Sequence, residues 1–196
     1  MSKSDPAAPK KERNKAIRWI IAVFISTILV SGIISFASEE IMSVSSMAVA
    51  FIILLVIIFV GILFDIIGVA VTSADEKPFH SMAARKVPGA LESIRLLRNA
   101  EKVGSICNDV VGDICGVVSG SASATIAAQV LKNFDFSWPR LVTLAMSALV
   151  AGLTVGGKAI GKGIAINSCT KIVHFVGRII SRLQSIPRIF KRETKK

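Results

Sequence analysis

Residues 41–64 read IMSVSSMAVAFIILLVIIFVGILF, an unbroken run of twenty-four residues without a charged side chain. A helix needs about 20 such residues, at ~1.5 Å of rise each, to cross the hydrocarbon core of a bilayer. The run therefore predicts a membrane-spanning helix, and apolar residues extend it past Asp65 as far as Ala74. From this stretch we expect an all-α membrane protein.

Three further runs of similar character raise the expected number of membrane helices to four. Residues 19–38 form the first span, and residues 114–131 and 141–157 form the third and fourth, which are rich in glycine, alanine and serine. The first run is longer than the ~7–15-residue core of a signal peptide, and a second span follows it. We therefore expect an uncleaved helix and a polytopic protein.

The composition agrees with this fold class and excludes several others. Of the 196 residues, 52% are hydrophobic and 19% are charged, and the mean hydropathy is +0.64. The net charge of +11 is confined to a few segments, whereas a soluble nucleic-acid-binding protein would spread basic residues over a hydrophilic surface. Three cysteines are too few, and odd in number, for a disulfide scaffold. We expect neither a soluble enzyme nor a nucleic-acid partner.

The basic residues predict the orientation of the chain. Residues 1–18 and 75–102 contain six basic side chains each and the chain from Lys158 onward contains ten, whereas the loop 37–46 carries only two glutamates. Because basic residues accumulate on the cytoplasmic side, both termini are expected there, in a plasma membrane with an anionic inner leaflet. The predicted domains are a disordered basic tail (1–16), a helical membrane domain (17–190) and a second basic tail (191–196).

Two cytoplasmic segments are expected to be helical. Segment 75–102 is predicted to form a belt hairpin of two helices that break at Pro88-Gly89. From Lys171 to Ile186, apolar residues recur at helical spacing opposite a basic stripe. This pattern predicts a C-terminal amphipathic helix in the plane of the membrane surface. An anchor on the lipid is the favoured interpretation, and docking of a cytosolic partner is the alternative.

Small residues recur every four positions in the last two spans, at Gly112, Gly116 and Gly120 and again at Gly152 and Gly156. Such spacing lets helix backbones approach closely in lipid. It predicts tight packing within the chain or across a homodimer. These two spans are expected to face protein more than lipid.

Carboxylates beside the spans are candidate functional residues, because a charge in hydrocarbon costs roughly 2.5–3.5 kcal/mol even on insertion scales. Asp109 and Asp113 are four positions apart on one helix face, Asn108 is adjacent, and Asp65 lies in the second span. The expected topology brings them to the inner half of the membrane together with Lys158. They could supply the oxygen ligands that Mg²⁺ prefers, or they could form structural ion pairs with Lys158. No organic cofactor is expected.

The chain from Phe64 to about Gln129 resembles the transmembrane domain of the cyclin M (CNNM) / CorB–CorC magnesium and cobalt transporter family. The likeness runs through Ala-Val-Thr-Ser at residues 70–73 and through Leu-Leu-Arg-Asn-Ala-Glu-Lys at residues 96–102, which is similar to the family's belt element. Asn108 matches its following Gly-Asn element. Together with the segment around Lys158, the likeness covers residues 64–180 in all.

This resemblance implies a transporter of divalent cations, Mg²⁺ or Co²⁺, and adds Ser73 to the candidate ligands. Lys158 stands where the family has the glutamate of Gly-Glu-x-x-Pro-Lys, so it is expected to act as an internal counter-charge. The family's regulatory CBS domains are expected to be absent. A non-transporting membrane subunit or regulator of the same fold is the alternative function, and the charge of Lys158 favours it. The predicted metal-binding residues are Asp65, Ser73, Asn108, Asp109 and Asp113.

Enzymatic activity is not expected. The Asp109-x-x-x-Asp113 spacing is similar to part of the metal motif of phospholipid-forming alcohol transferases. The upstream Asp-x-x-Asp-Gly-x-x-Ala-Arg element that those enzymes need is missing from the sequence.

Overall fold

The computed structural model describes residues 10–134 and 138–193, and over these ranges the chain is helical and contains no strand. The predicted all-α class is therefore confirmed. The helices are α1 (Lys10–Val44), α2 (Met47–Ser73), α3 (Lys77–Ala84), α4 (Ala90–Arg98), α5 (Ala100–Ser105), α6 (Gly112–Asn133), α7 (Pro139–Asn167) and α8 (Cys169–Glu193), with a π-helical segment (Ile106–Val111) between α5 and α6.

Four helices of the described chain are long and apolar enough to cross a membrane, which confirms the predicted number of spans. They cover Ile20–Met42, Met47–Ser73, Ala100–Asn133 and Pro139–Asn167. The third is longer than predicted, because α5, the π-helical segment and α6 follow one another without leaving helical backbone angles. The acidic residues expected just ahead of this span therefore lie within it.

The ends of the helices differ from the predicted boundaries. α1 begins at Lys10, inside the segment predicted to be a disordered tail. Only Ser45 and Ser46 connect α1 to α2, so most of the expected loop 37–46 is helical. The remainder of the predicted N-terminal tail, residues 1–9, and the end of the predicted C-terminal tail, residues 194–196, lie outside the described residues.

α2 lies at the centre of the fold, since it contributes to both clusters of buried apolar side chains. One cluster joins α2 to α1, α6 and α7 near the start of α2. The other joins the end of α2 to α3, α4, α7 and α8. The first consists of Met42, Ala50, Leu54, Ile58, Ala122, Ile126 and Val150, and the second of Ala70, Val71, Phe79, Ile94, Leu97, Ala165 and Val173.

The last two spans differ in how much protein covers them. In the most apolar part of the third span 39% of the residues are buried, against 6% in the fourth. Within the described chain the third span is therefore covered more than α7, and packing of α7 across a homodimer stays a prediction. α7 contacts α2 where Gly157 and Gly161 lie against Ile62 and Ile66, and it contacts α6 through Val150. Most of its surface is not covered by other parts of the described chain.

Candidate cation site between α2, α6 and α7

The centre of the candidate site is an ion pair between α2 and α7. The Nζ atom of Lys158 lies 3.9 Å from Oδ1 of Asp65, and the two side chains are 28% and 17% exposed. The ammonium group also lies over Gly112 of α6, where an added Cβ atom would be 3.4 Å from Nζ. Pairing offsets part of the cost of holding each charge inside a membrane span. Three helices therefore meet around one compensated pair of charges.

Asn108 lies about one turn before Gly112, in the π-helical segment. Its side chain packs on Gly68 of α2, so closely that a Cβ atom at residue 68 would overlap with the carboxamide. Gly68 is three residues, about one turn, after Asp65. The carboxamide oxygen Oδ1 of Asn108 is buried and accepts no hydrogen bond from the described residues. A buried acceptor without a donor is costly, so this oxygen is available to a water molecule or a cation.

Asp109 and Asp113 face a different part of the molecule. Both side chains are exposed and line a groove of about 400 Å³ between the third span and α1. The opposite wall of that groove is mostly apolar, and it is formed by Ile20, Val23, Phe24 and Thr27. The prediction that the two carboxylates share one helix face agrees with this arrangement. The structure does not bring them to the Asp65–Lys158 pair.

Ser73, the remaining predicted ligand, is the last residue of α2 and is exposed. It lies about two turns beyond Asp65 and away from Asn108. Within the described ranges, no group of three or more His, Cys, Asp or Glu side chains is close enough to hold a metal ion. The predicted residues therefore fall into three places, with Asn108 packed on α2 one turn after Asp65, Asp109 and Asp113 in one groove, and Ser73 at the end of α2.

The role of Gly68 was not predicted from the sequence. The structure shows that it makes room for the Asn108 side chain. Gly61 has a similar role about two turns earlier on the same side of α2, where an added Cβ would lie 2.9 Å from Cβ of Cys115. The available signal was the seven-residue spacing of two glycines within an otherwise bulky span, which places both on the side of α2 that faces α6.

Comparisons with protein-family models, with curated proteins and with solved structures find no match for this chain.

Proposed function

We propose that this chain is an integral membrane protein of the divalent-cation transporter type, which carries Mg²⁺ or Co²⁺ across the plasma membrane with both of its termini in the cytoplasm. The class of ion comes from the resemblance of residues 64–180 to the cyclin M / CorB–CorC transporters, and the orientation from the distribution of basic residues. The observation that carries the proposal is the buried oxygen of Asn108, which accepts no hydrogen bond from the described residues and packs on α2 one turn after Asp65.

The chemistry of these two side chains suits a small hard cation. Mg²⁺ binds through oxygen atoms, often uses only one or two carboxylates, and retains several of its water molecules. The Asp65 carboxylate and the Asn108 carboxamide provide two such oxygens inside a membrane span. Lys158 is a tethered competitor in this scheme, because its ammonium group must leave Asp65 when a divalent ion enters. Between binding events it compensates the carboxylate.

A non-transporting subunit or regulator of the same fold is the second candidate function, and the Asp65–Lys158 pair favours it. In this alternative Lys158 neutralises Asp65 permanently, and the pair serves only to hold α2 and α7 together. The separation of Asp109 and Asp113 from the pair is consistent with it. The two candidates differ in what the removal of Lys158 should do to cation binding.

The test measures the melting temperature of the purified chain in detergent with and without millimolar Mg²⁺. If the chain binds Mg²⁺ at Asp65, the ion should stabilise the wild type, because a ligand at 100 times its Kd adds about 2.7 kcal/mol. Lys158→Gln should enlarge the response by removing the competitor, and Asp65→Asn should abolish it. Glu101→Gln, an exposed carboxylate on α5, is the matched control and should respond like the wild type.

The alternative function makes the opposite prediction. Neither the wild type nor Lys158→Gln should respond to Mg²⁺. Asp65→Asn and Lys158→Gln should each lower the melting temperature by leaving one charge unpaired, and the double variant should recover most of the loss.

Flux of Mg²⁺ into proteoliposomes then tests the groove beside α1. Loss of flux in Asp109→Asn or Asp113→Asn with an intact thermal response would assign that pair to the path of the ion rather than to its binding site.

A further inference from the structure

α8 has one face that packs against the protein and one that does not. On the packed face Val173 and Gly177 are buried against α4. The Ser93 hydroxyl donates a hydrogen bond to the carbonyl oxygen of Val173 (3.2 Å), and an added Cβ at Gly177 would lie only 2.6 Å from the carbonyl oxygen of Gly89. These contacts determine how α8 is rotated about its own axis.

The opposite face of α8 combines an apolar stripe with a basic one. Phe175, Ile179 and Leu183 follow one another at four-residue spacing and are 62%, 42% and 60% exposed. Residues four apart lie on the same side of a helix, so the three side chains form one continuous strip. Basic side chains run beside this strip and are also exposed. They are Lys171, Arg178 and Arg182.

A second segment of the chain adds positive charge at the same place. The turn that connects α3 to α4 carries two exposed basic residues, at positions 85–86. It is joined to α8 through Pro88, whose carbonyl oxygen lies 3.2 Å from Nε2 of His174, and through Gly89, which lies against the backbone of Arg178. His174 is half-buried against this turn. Two segments far apart in sequence thus contribute to one basic surface.

The backbone at Lys86 is unusual for a lysine. Its φ angle is +56°, in the left-handed region where glycine is favoured. It ends α3 in a Schellman arrangement. The N–H of Lys86 donates a hydrogen bond to the carbonyl oxygen of Ala83 (2.9 Å), and the N–H of Val87 donates one to the carbonyl oxygen of Met82 (3.0 Å). A lysine in place of glycine there carries a conformational cost. Such a cost is consistent with a requirement for the charge.

Acidic residues of the α3–α4 hairpin do not cancel this surface. Glu92 of α4 lies 3.9 Å from Arg95, and Glu76, the residue before α3, lies 3.2 Å from His80, so each has a basic partner close by. The helices of the hairpin therefore leave the cations of the turn and of α8 available.

We propose that the exposed face of α8, together with the turn at residues 85–86, docks on the anionic headgroups of the bilayer. α7 ends at Asn167 and α8 begins at Cys169, so α8 starts where a membrane-spanning helix stops. An apolar strip flanked by cations is the pattern of helices that lie in the interface, with apolar side chains among the upper acyl groups and cations among the phosphates. Because the packed face holds α4, docking of α8 also fixes the α3–α4 hairpin beside the membrane surface. The inference is independent of ion transport.

The test uses the full chain in nanodiscs of phosphatidylcholine alone or mixed with phosphatidylglycerol, with bromine on the acyl chains. A Phe175→Trp probe is introduced after Trp19→Phe and Trp138→Phe remove the native tryptophans. Bromine quenches a tryptophan that enters the acyl region, so quenching should be stronger in anionic nanodiscs and should weaken in molar salt, where the screening length is about 3 Å. A Leu183→Trp probe provides the same measurement should the first variant fold poorly.

Charge variants in the probe background make the test specific. Neutralising Lys171, Arg178 and Arg182 to glutamine should lower the ratio of docked to free α8 about fivefold per residue. The matched control is neutralisation of Lys77, Arg98 and Lys102, which are also exposed. It removes the same charge from α3, α4 and α5, keeps the Glu92–Arg95 contact, and should leave quenching unchanged. Absence of quenching in anionic nanodiscs would overturn the proposal, and so would equal quenching in both lipids that the α8 triple variant does not alter. Equal losses in both triple variants would reduce the effect to net charge and would overturn the assignment to this face.

Discussion

The contact between α4 and α8 allows a quantitative prediction for Gly177→Ala. In an open helix this change should stabilise the protein by about 0.5–1 kcal/mol, because alanine is the better helix former. At residue 177, however, the added methyl would lie 2.6 Å from the carbonyl oxygen of Gly89 and 3.0 Å from the amide nitrogen of Ser93. A carbon normally approaches a carbonyl oxygen no closer than ~3.3 Å, so the two backbones would have to separate by about 0.7 Å.

The cost follows from that separation. Overpacking against unyielding backbone costs about 1–3 kcal/mol. The Ser93–Val173 hydrogen bond, already 3.2 Å long, would be lost at about 1 kcal/mol more. After the gain in helix propensity, the net destabilisation should be about 1–3 kcal/mol. A protein of this size then melts about 2–4 °C lower for each kcal/mol.

The assay compares thermal melts of the full chain in detergent at one scan rate. The matched control is Gly163→Ala on α7, where an added Cβ meets no atom of the described chain within 4 Å. This control should gain about 0.5–1 kcal/mol, so the two alanine variants should shift in opposite directions. If Gly177→Ala is as stable as Gly163→Ala, α4 and α8 do not pack as closely as the structure shows, and the rotation of α8 on which the docking surface depends is wrong.

Three further predictions concern orientation, association and the α3–α4 turn. In a background without the native cysteines, an impermeant thiol reagent applied from outside should label Glu40→Cys and spare Lys86→Cys, and the reverse pattern would overturn the orientation. Gly152 and Gly156 meet no described atom within 4 Å of an added Cβ, so leucine at both positions should leave the melting temperature nearly unchanged. The same variant should weaken a homodimer formed through that stripe, as measured by crosslinking in membranes. Lys86→Gly should raise stability by about 1 kcal/mol in the melt, because glycine adopts a φ of +56° without strain, and a loss of stability would contradict the Schellman turn.

Several features of the fold were predictable from sequence because they depend on local properties. A span is recognised from about 20 consecutive residues, so the four spans could be counted before any contact was known. The helix break at Pro88-Gly89 has the same local origin, since proline restricts the residue before it and glycine adopts the left-handed angle that ends the turn. Of the candidate site, sequence supplied the residue types and the expectation that Asp109 and Asp113 share a face.

The neighbours of those residues depended on tertiary structure. Whether Lys158 meets Asp65 or Asp113 is decided by the rotation of the third span about its axis, and residue spacing carries no information on that rotation. The π-helical segment widens one turn of this span, so that Asn108 faces α2 while Asp109 faces α1. In the same way, the rotation of α7 about its axis decides that Gly157 and Gly161 contact α2, whereas Gly152 and Gly156 remain open in the described chain. Hydropathy is a sum over neighbours in sequence, whereas these contacts join residues that only packing brings together.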